Sequence, residues 1–351
     1  MIHDRIHRAR MLKGLSLEAL AQSMGDISKQ GLNKFEKGLA KPNSTRILQL
    51  AKALEVKPEY FFRPDAIELA PLEFRKYTKM PQSRQASVRE KMRDHLERYE
   101  SLERCFDFST TVEVLRAQSI KANDLFEAES AASHLREQLN IGNDAIAHLI
   151  ELLEDHGIKV ALLDESPDFD GACAATQDKL HVLIAANCNR AGERVRFTVA
   201  HELGHWVMAF PADMPEKDKE ACCHRFAGAF LYPQTQVRHD FGDHQRSRVY
   251  MQELLNAKRR YGISMQVALR RLKDLHLLTE SGYRSTMIEF NRRHWRQQEP
   301  EALACEKPRR FESLVYRGLA EELFTLARAA EFLGCLPQAI DPSLERFSQT
   351  A

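Results

Sequence analysis

The sequence predicts a mainly α-helical protein with a small antiparallel β-sheet, an α+β fold divided into more than one domain. Three observations lead to this prediction. Capped helical patterns fill residues 1–63, helical periodicity returns from Asp124 onward, and only the stretch from Gly157 to Asn187 has the short, β-branched apolar runs of strands. A chain of 351 residues also exceeds the size that one hydrophobic core usually organises, so two or three domains are expected.

Composition excludes several classes of protein. Hydrophobic residues make up 43% of the chain and charged residues 29%, which is the balance of a globular protein rather than a disordered one. No apolar run approaches the roughly 20 residues of a membrane span, and the amino terminus begins in a charged amphipathic pattern without a signal peptide. The 7 cysteines form no C-x-x-C pair and are interpreted as reduced thiols. The sequence therefore predicts a cytoplasmic protein that does not enter a membrane.

The first predicted domain, residues 1–65, is an all-helical bundle of minimal size. It holds 12 Lys and Arg against 7 Asp and Glu, a local charge of about +5 in a chain whose net charge is +1. Positive charge concentrated in this way suits contact with nucleic acid. The expected helices are Arg5–Lys13, Leu17–Met24 behind the N-cap Ser16, Lys29–Lys37 behind the N-cap Ser28, and Thr45–Leu54.

Residues 66–123 are predicted to be a linker followed by a long helix. The stretch Pro64–Pro81 is punctuated by proline, whereas Ser83–Phe106 has no helix breaker and carries one apolar stripe. This helix is expected either to pair with its twin in a homodimer or to pack on its own chain as a spacer.

The second predicted domain covers residues 124–300, and a helical extension covers residues 301–351. Ile158–Leu163 is a predicted strand, and the pair Asp178-Lys179 is expected to join two further strands, Ala172–Gln177 and Leu180–Ala185, in a hairpin. The expected helices of this domain are Asp124–Leu139, Asn143–His156, Arg194–Ala209 and Glu220–Leu231. In the extension, Arg309–Leu333 contains two short helical patterns. Their glutamates oppose phosphate binding, so we interpret them as a lid or docking element rather than a DNA-binding element.

The segment His201-Glu202-Leu203-Gly204-His205 has the spacing of a zinc site on a helix. Residues four apart are rotated by about 400°, so His201 and His205 stand on one face and can reach a single ion. Glu202, between them, is placed to act as the general base on a water at the open position of the metal. The flanking residues are small or apolar, which predicts a buried helix where two unpaired imidazoles would be costly.

A catalytic zinc of this kind needs a third protein ligand. Glu220 is the candidate, because it opens an apolar helix and a helix holds a ligand more rigidly than the loop before it. His224, one turn later, is either a partner that orients a ligand or an alternative ligand. The neighbouring Cys222 and Cys223 could also offer thiolates, although buried cysteines on helices are more often packing residues.

These residues carry a resemblance to a known family. The segment Arg194–His205, followed by Glu220–Pro233 with its Phe-Ala-Gly-Ala-Phe-Leu-Tyr-Pro ending, resembles the ImmA/IrrE family of zincin-like metallo-endopeptidases. The resemblance implies that His201, His205 and Glu220 bind Zn²⁺ and that Glu202 is catalytic. One departure concerns His224, because members of the family often have Asn at that position.

The amino-terminal domain resembles the helix-turn-helix domain of the Xre family, through Ser16–Ala21, Ile27–Gly38 and Lys41-Pro42. In such a domain the second of two short helices enters the major groove of DNA. Many relatives carry Gln where Leu17 stands, a departure that lowers the expected affinity for an operator. The expected base contacts are Lys29, Gln30 and Asn33, and the expected phosphate contacts are Lys34, Lys37 and Lys41.

Together the two resemblances imply a DNA-binding transcriptional regulator that also hydrolyses protein. The expected partners are operator DNA and a repressor or antitoxin-like substrate, cut in stress response, mobile-element transfer, toxin–antitoxin control or phage defence. The alternative is a non-proteolytic transcription factor or antitoxin whose zinc domain senses a ligand or metal. Two further alternatives are a helix-turn-helix kept for protein interaction, and autoproteolysis near Pro64–Pro81.

Overall fold

The computed structural model describes residues 1–63, 67–70, 80–106, 115–335 and 337–340. The chain divides into two compact units, Met1–Asp107 and Phe108–Ala351. The finer division predicted from the sequence, into residues 1–65, 66–123, 124–300 and 301–351, stays a prediction. Most of the Pro64–Pro81 linker and the end of the extension, residues 341–351, lie outside the described residues.

The first unit is built from short helices whose ends are set by local capping. Ser16 Oγ accepts a hydrogen bond from Ala19 N at 3.0 Å, and Ser28 Oγ accepts one from Gly31 N at 3.2 Å. Both cap residues are those predicted from the sequence. The helices are α1 (Ile2–Leu12), α2 (Leu17–Met24), α3 (Lys29–Glu36), α4 (Ser44–Leu54) and α5 (Gln82–Glu103), with a 3-10 turn at Pro58–Phe62.

Helix α5 packs against α1 within the first unit. Its predicted apolar stripe is buried, with Val88 and Met92 both fully inaccessible to solvent. The contact also contains buried charge: Glu97 accepts hydrogen bonds from Arg5 Nη1 at 2.5 Å and from Arg8 Nη1 at 3.2 Å. This helix therefore packs on its own chain, while its pairing with a second copy stays a prediction.

The second unit is also mainly helical, which confirms the predicted fold class. Its strands are β1 (Ile120–Lys121), β2 (Ile158–Leu163), β3 (Gly171–Ala175), β4 (Val182–Asn187) and β5 (Met208–Ala209). Its helices are α6 (Leu125–Gln138), α7 (Leu149–Asp155), α8 (Gly192–Val207), α9 (Glu216–Leu231), α10 (Gln234–Phe241), α11 (Met251–Tyr261), α12 (Met265–Asp274), α13 (Glu280–Arg292), α14 (Arg310–Ala320) and α15 (Leu326–Leu333).

The three-stranded sheet has the order β2-β4-β3. Strands β3 and β4 form the predicted antiparallel hairpin, with Gly171 opposite Ala186. Strand β2 joins parallel to β4, with Ile158 opposite Val182, so the sheet is mixed rather than purely antiparallel. The hydrophobic pattern of β2 could not reveal this, because a buried strand has the same pattern in either direction.

Helix α7 is shorter than the predicted helix Asn143–His156 and begins only at Leu149. The buried Arg136 side chain accounts for part of this difference. Its guanidinium donates to the carbonyl oxygens of Gly142 and Asp144, and Gly142 has a positive φ of 55°. Carbonyl groups held in this way are not available for helical hydrogen bonds, so the chain stays irregular there.

The sheet and the helices around it bury a large hydrophobic core in the second unit. Its members include Val199 and Leu203 from α8, Phe226 and Phe230 from α9, and Ile184 from β4, all of them inaccessible to solvent. Helices α8 and α9 lie against each other in this core, which fixes the side chains that they share on their facing surfaces.

Helices α14 and α15 contact each other beyond this core. Phe332 packs on Phe311 and Phe324, with ring centroids 6.4 and 5.3 Å apart. No helix among the described residues is long and apolar enough to cross a membrane.

Candidate metal centre and nucleic-acid interface

Helix α8 places His201 and His205 side by side. Their Nε2 atoms lie 3.1 Å apart, and their ring centroids 4.8 Å apart. The side chain of His201 is 4% exposed and that of His205 is 24% exposed, so the pair lies at the boundary between the core and solvent. The helix is buried along most of its length, as its flanking residues predicted.

Glu220 approaches the two histidines from α9. Its Oε2 lies 3.3 Å from His201 Nε2, and its Oε1 lies 3.0 Å from His205 Nε2. The helix begins at Glu216, one turn earlier than predicted, so Glu220 sits within regular helix rather than at its first residue. The structure thus brings together the three residues that the sequence singled out.

The donor set fits a metal ion. One ligand atom from each of His201, His205 and Glu220 lies within 4.8 Å of the other two, the only such group of three among the described residues. Two imidazole nitrogens and one carboxylate oxygen are the protein ligands of a common class of catalytic zinc site, which keeps a fourth position for water. The chemistry of the three donors therefore matches the metal implied by the sequence.

His224 contacts this group but is not a member of it. Its Nδ1 lies 2.7 Å from the carbonyl oxygen of Glu220, and its ring meets the His201 ring edge to face with centroids 4.4 Å apart. Because a carbonyl only accepts, Nδ1 carries the proton. His224 is thus arranged to support His201 and the turn of helix that bears Glu220, and its role as an alternative ligand stays a prediction.

The adjacent cysteines Cys222 and Cys223 are buried in α9 and are absent from the three-residue group. Burial raises the pKa of the Cys222 thiol, and the charges of Asp124 and Asp218 raise it further. A raised pKa opposes the thiolate that metal binding requires. Packing is therefore the simpler account of Cys222.

Glu202 lies beneath the edge strand β3. It is 5% exposed, and a Cβ built on Gly171 would stand 3.5 Å from its Cγ and 2.4 Å from Thr198 Cγ2. The strand can cross α8 this closely because Gly171 has no side chain. Sequence reasoning missed Gly171, since nothing in the local pattern indicates which helix a strand will cross.

Cys173, also on β3, faces the same region. Burial raises the pKa of its thiol well above the usual range, and the charge of Glu202 acts in the same direction. A thiol that stays protonated does not compete as a nucleophile or ligand. This residue likewise gave no signal in the sequence.

In the first unit, α2 and α3 have the arrangement of a helix-turn-helix, with α3 displayed on the surface. Of the predicted DNA contacts, Lys29, Gln30, Lys34, Lys37 and Lys41 are exposed, and Asn33 is half-buried. Lys29 Nζ lies 3.5 Å from Glu18 Oε2 on α2. Leu17, the departure noted in the sequence, packs against the core of this unit. The contacts with DNA stay predictions.

Comparison with known proteins gives a family match in each unit of the chain. Residues 6–61 match the family model described as Helix-turn-helix, and residues 153–273 match the model of the peptidase M78 family described as IrrE N-terminal-like domain. Two relatives from Sinorhizobium fredii, the uncharacterized HTH-type transcriptional regulators y4wC and y4aM, are 34% identical over 61 residues and 38% identical over 58 residues.

Both of these relatives match only part of the chain. The matches cover 17% and 16% of it, and 42% and 40% of the relatives' own lengths. The chain thus spans about two fifths of the length of the curated relatives it matches.

Fold and site together define a class: a helix-turn-helix domain joined in one chain to a metallopeptidase-like domain. In family terms, residues 6–61 are similar to the Xre-like helix-turn-helix domains, and residues 153–273 are similar to the IrrE-like peptidase M78 domains. The resemblances drawn from the sequence are confirmed by these matches.

Proposed function

We propose that this chain is a DNA-binding transcriptional regulator with zinc-dependent endopeptidase activity. The observation that carries the proposal is the convergence of His201, His205 and Glu220 beside Glu202, in a chain that also bears a helix-turn-helix domain. The proposed substrate is a repressor or an antitoxin-like partner. A peptidase domain joined to a DNA-binding domain would act on the few proteins that are present at the bound DNA.

His201, His205 and Glu220 would hold the Zn²⁺ ion. Zinc bound there would supply a Lewis acid that polarises a peptide carbonyl and makes the attacking water more acidic. Neutral imidazoles are required for this binding, and the edge-to-face contact between His224 and His201 keeps one ring in position.

Glu202 would take the proton from the attacking water and deliver it to the leaving amine. It is well placed because it stands next to His201 on a rigid helix and does not belong to the three-residue donor group. With 5% exposure, its carboxylate is shielded from bulk water, which strengthens its electrostatic interaction with the reacting atoms.

The edge of β3 would bind the substrate chain. At one end of β3 the carbonyl oxygen of Asp170 accepts a hydrogen bond from Asn187 N, and at the other end Thr176 N donates to the carbonyl oxygen of His181. Because main-chain groups alternate in direction along a strand, those of the intervening residues Gly171, Cys173 and Ala175 point away from β4. A peptide added along this edge would be extended and would pass over Glu202. A substrate bound in this way must contain a flexible or unfolded segment, because only such a segment can take the extended conformation.

The helix-turn-helix unit would bring the peptidase to an operator. Lys29, Gln30 and Asn33 would read bases, while Lys34, Lys37 and Lys41 would contact phosphates. Domains of this size usually read DNA as dimers, so we propose a homodimer on a two-fold symmetric site, acting in the cytoplasm.

The test is cleavage of any small repressor or antitoxin-like protein that is found encoded beside this gene. Zinc-loaded protein should cut it, whereas Glu202→Gln should bind zinc equally well and cut at least roughly 100-fold more slowly, because it has lost the proton acceptor. Glu216→Gln, on the first turn of α9, is the matched control and should cut like the unaltered protein.

Two outcomes would decide against this function. Equal cleavage by Glu202→Gln would remove the proposed mechanism. A clear operator footprint without cleavage of any co-encoded protein would favour the alternative, a transcription factor whose zinc domain senses a ligand or metal.

A further inference from the structure

Helix α8 lies within residues 153–273, the region that matches the IrrE-like family, but some of the residues that contact α8 lie outside that region. Among the chain segments outside this region that contact α8, two lie at its opposite ends. One precedes α6 and covers residues 115–122; the other follows α13 and covers residues 303–306. We call them the front clamp and the rear clamp.

The front clamp binds the carboxyl end of α8, next to His205. The indole Nε1 of Trp206 donates to the carbonyl oxygen of Leu115 at 2.6 Å, and Gln118 N donates to the carbonyl oxygen of Trp206 at 2.8 Å. Strand β1 then pairs in parallel with β5, which directly follows α8. Trp206 is 8% exposed, so its hydrogen bond is shielded from water.

The rear clamp binds the amino end of α8. Gly192 N donates to the carbonyl oxygen of Leu303 at 3.1 Å, and Glu193 Oε2 accepts a hydrogen bond from Leu303 N at 3.0 Å. One turn further on, Arg196 forms an ion pair with Glu306. The rear clamp is therefore bound to α8 by a main-chain hydrogen bond and also by an ion pair.

Close approach of the rear clamp requires glycine at position 192. A Cβ there would stand 2.3 Å from the carbonyl oxygen of Ala304 and 2.7 Å from that of Leu303. Both obstacles are backbone atoms, which cannot rotate away as a flexible side chain can. Any larger residue would therefore displace the clamp from the helix.

Release of the rear clamp from α8 would cost free energy, because Glu193 is a buried charge. Glu193 is 4% exposed and also binds Lys258 Nζ at 2.5 Å, and Lys258 is itself inaccessible to solvent. A buried carboxylate that loses a main-chain donor loses part of what compensates for its desolvation. The clamp and this ion pair therefore stabilise each other.

We infer that the front and rear clamps hold α8 at both ends and thereby position His201 and His205, with Trp206 and Gly192 as positioning residues. The metal-binding part of this inference rests on the proposed function. Trp206 has the greater influence on the metal, because it is adjacent to His205, whereas Gly192 lies more than two helical turns before His201.

The experiment compares four full-length variants, two at the clamps and two as matched controls. Trp206→Phe removes the indole donor and keeps an aromatic ring, and Trp295→Phe makes the same change at the other tryptophan, which follows α13 and packs on Phe290. Gly192→Ala adds a Cβ against backbone, and Gly282→Ala does the same at α13, where a Cβ would stand 2.5 Å from the carbonyl oxygen of Ser247.

Hydrogen exchange of the metal-free proteins gives the first readout. Trp206→Phe should speed amide exchange in the last turns of α8 by about tenfold, the consequence of removing one buried hydrogen bond. Gly192→Ala should speed exchange in the first turn of α8 and at residues 303–304. The two control variants should leave exchange in α8 unchanged.

Zinc affinity, measured by competition with a chromophoric chelator, gives the second readout. Trp206→Phe should weaken binding by about tenfold, within the range for groups that orient metal ligands, and Gly192→Ala should weaken it less. Unchanged exchange in α8, unchanged zinc affinity in Trp206→Phe, or equal effects in the controls would each overturn the inference. If the unaltered protein binds no zinc, the proposed function fails, and the exchange data alone then decide whether the clamps hold the helix.

Discussion

Individual residues of the candidate metal centre are fixed by different means. His201 is held by burial and by the ring of His224, while His205 stands closer to solvent and directly precedes Trp206 in the chain. Glu220 is held by the second turn of α9, and its carbonyl oxygen accepts the hydrogen bond from His224. His201 and Glu220 therefore both depend on His224, which is not itself a member of the donor group.

The ligand set can be tested residue by residue through zinc affinity. Glu220→Gln should weaken binding by roughly 100-fold or more, because removing a ligand costs more than removing a residue that orients one. His224→Asn, which introduces the residue common in the family, should weaken binding by less than about tenfold. Competition with a chromophoric chelator measures both.

Glu216→Gln is the control for this series. It alters a carboxylate on the same helix, in its first turn, where Glu216 lies 3.8 Å from Lys219 Nζ and does not contact the histidines. Equal losses in Glu220→Gln and Glu216→Gln would contradict the assigned ligand. A loss in His224→Asn as large as that in Glu220→Gln would instead make His224 a ligand.

At the scale of elements, α14 has no side-chain cap of its own and takes one from α7. Glu154 Oε2 accepts hydrogen bonds from Arg309 N at 3.1 Å and from Arg310 N at 3.2 Å. An anionic acceptor at the amino end of a helix is stabilising, because main-chain N–H groups there lack partners. The predicted lid or docking element is thus joined to the rest of the second unit by a carboxylate that is 3% exposed.

Glu154 should make the stability of this unit depend on pH. Burial raises the pKa of Glu154 to about 7, although the two main-chain donors and the charge of Arg310 act against it. Because the folded-state pKa lies above the unfolded value, the stability linked to the bound proton is present at low pH and is lost as pH rises through about 7. Between pH 5 and pH 8 the loss amounts to at most about 3 kcal/mol.

The measurement is thermal unfolding of the full chain at several pH values between 5 and 8. Glu154→Gln keeps the acceptor but cannot ionise, so its midpoint should fall less with rising pH than that of the unaltered protein. Glu151→Gln, an exposed change on the same helix, should behave like the unaltered protein. Parallel curves for all three proteins would show that the cap does not titrate in this range.

At the scale of the whole molecule, the proposed DNA contacts and the proposed peptidase site belong to different units of the chain. The helix-turn-helix match ends at residue 61 and the peptidase-family match begins at residue 153. The donor residues of the metal centre all lie in the second unit, and the proposed DNA contacts all lie in the first. We therefore expect changes in one site to leave the intrinsic chemistry of the other unaffected.

The proposed phosphate contacts predict a specific change in salt dependence. Replacing both Lys34 and Lys37 by Ala should reduce the slope of log K against log salt by about 0.9 for each phosphate that the protein no longer neutralises. The measurement is binding of a short duplex over a range of ionic strength. Lys52→Ala, an exposed lysine on α4, is the control, and an equal reduction in its slope would contradict the assignment of α3 as the DNA-facing helix.

Much of this protein could be predicted from local sequence. The caps Ser16 and Ser28 determine where α2 and α3 begin. They could be predicted because capping is an interaction between residues three positions apart. The spacing of His201 and His205 placed both on one face of a helix, because helical periodicity alone decides it. The hairpin of β3 and β4 was likewise predictable from two short apolar runs and the turn between them.

Other features were decided only by tertiary structure, because they join residues far apart in the chain. The parallel pairing of β2 with β4, the crossing of Gly171 over Glu202, and the clamping of α8 by Leu115 and Leu303 leave no periodic pattern in the sequence. The sequence thus determined that His201 and His205 share a helical face and that Glu202 lies between them. Packing of α9 on α8 decided that Glu220 meets them, since only a long-range contact can bring a third donor to the same point.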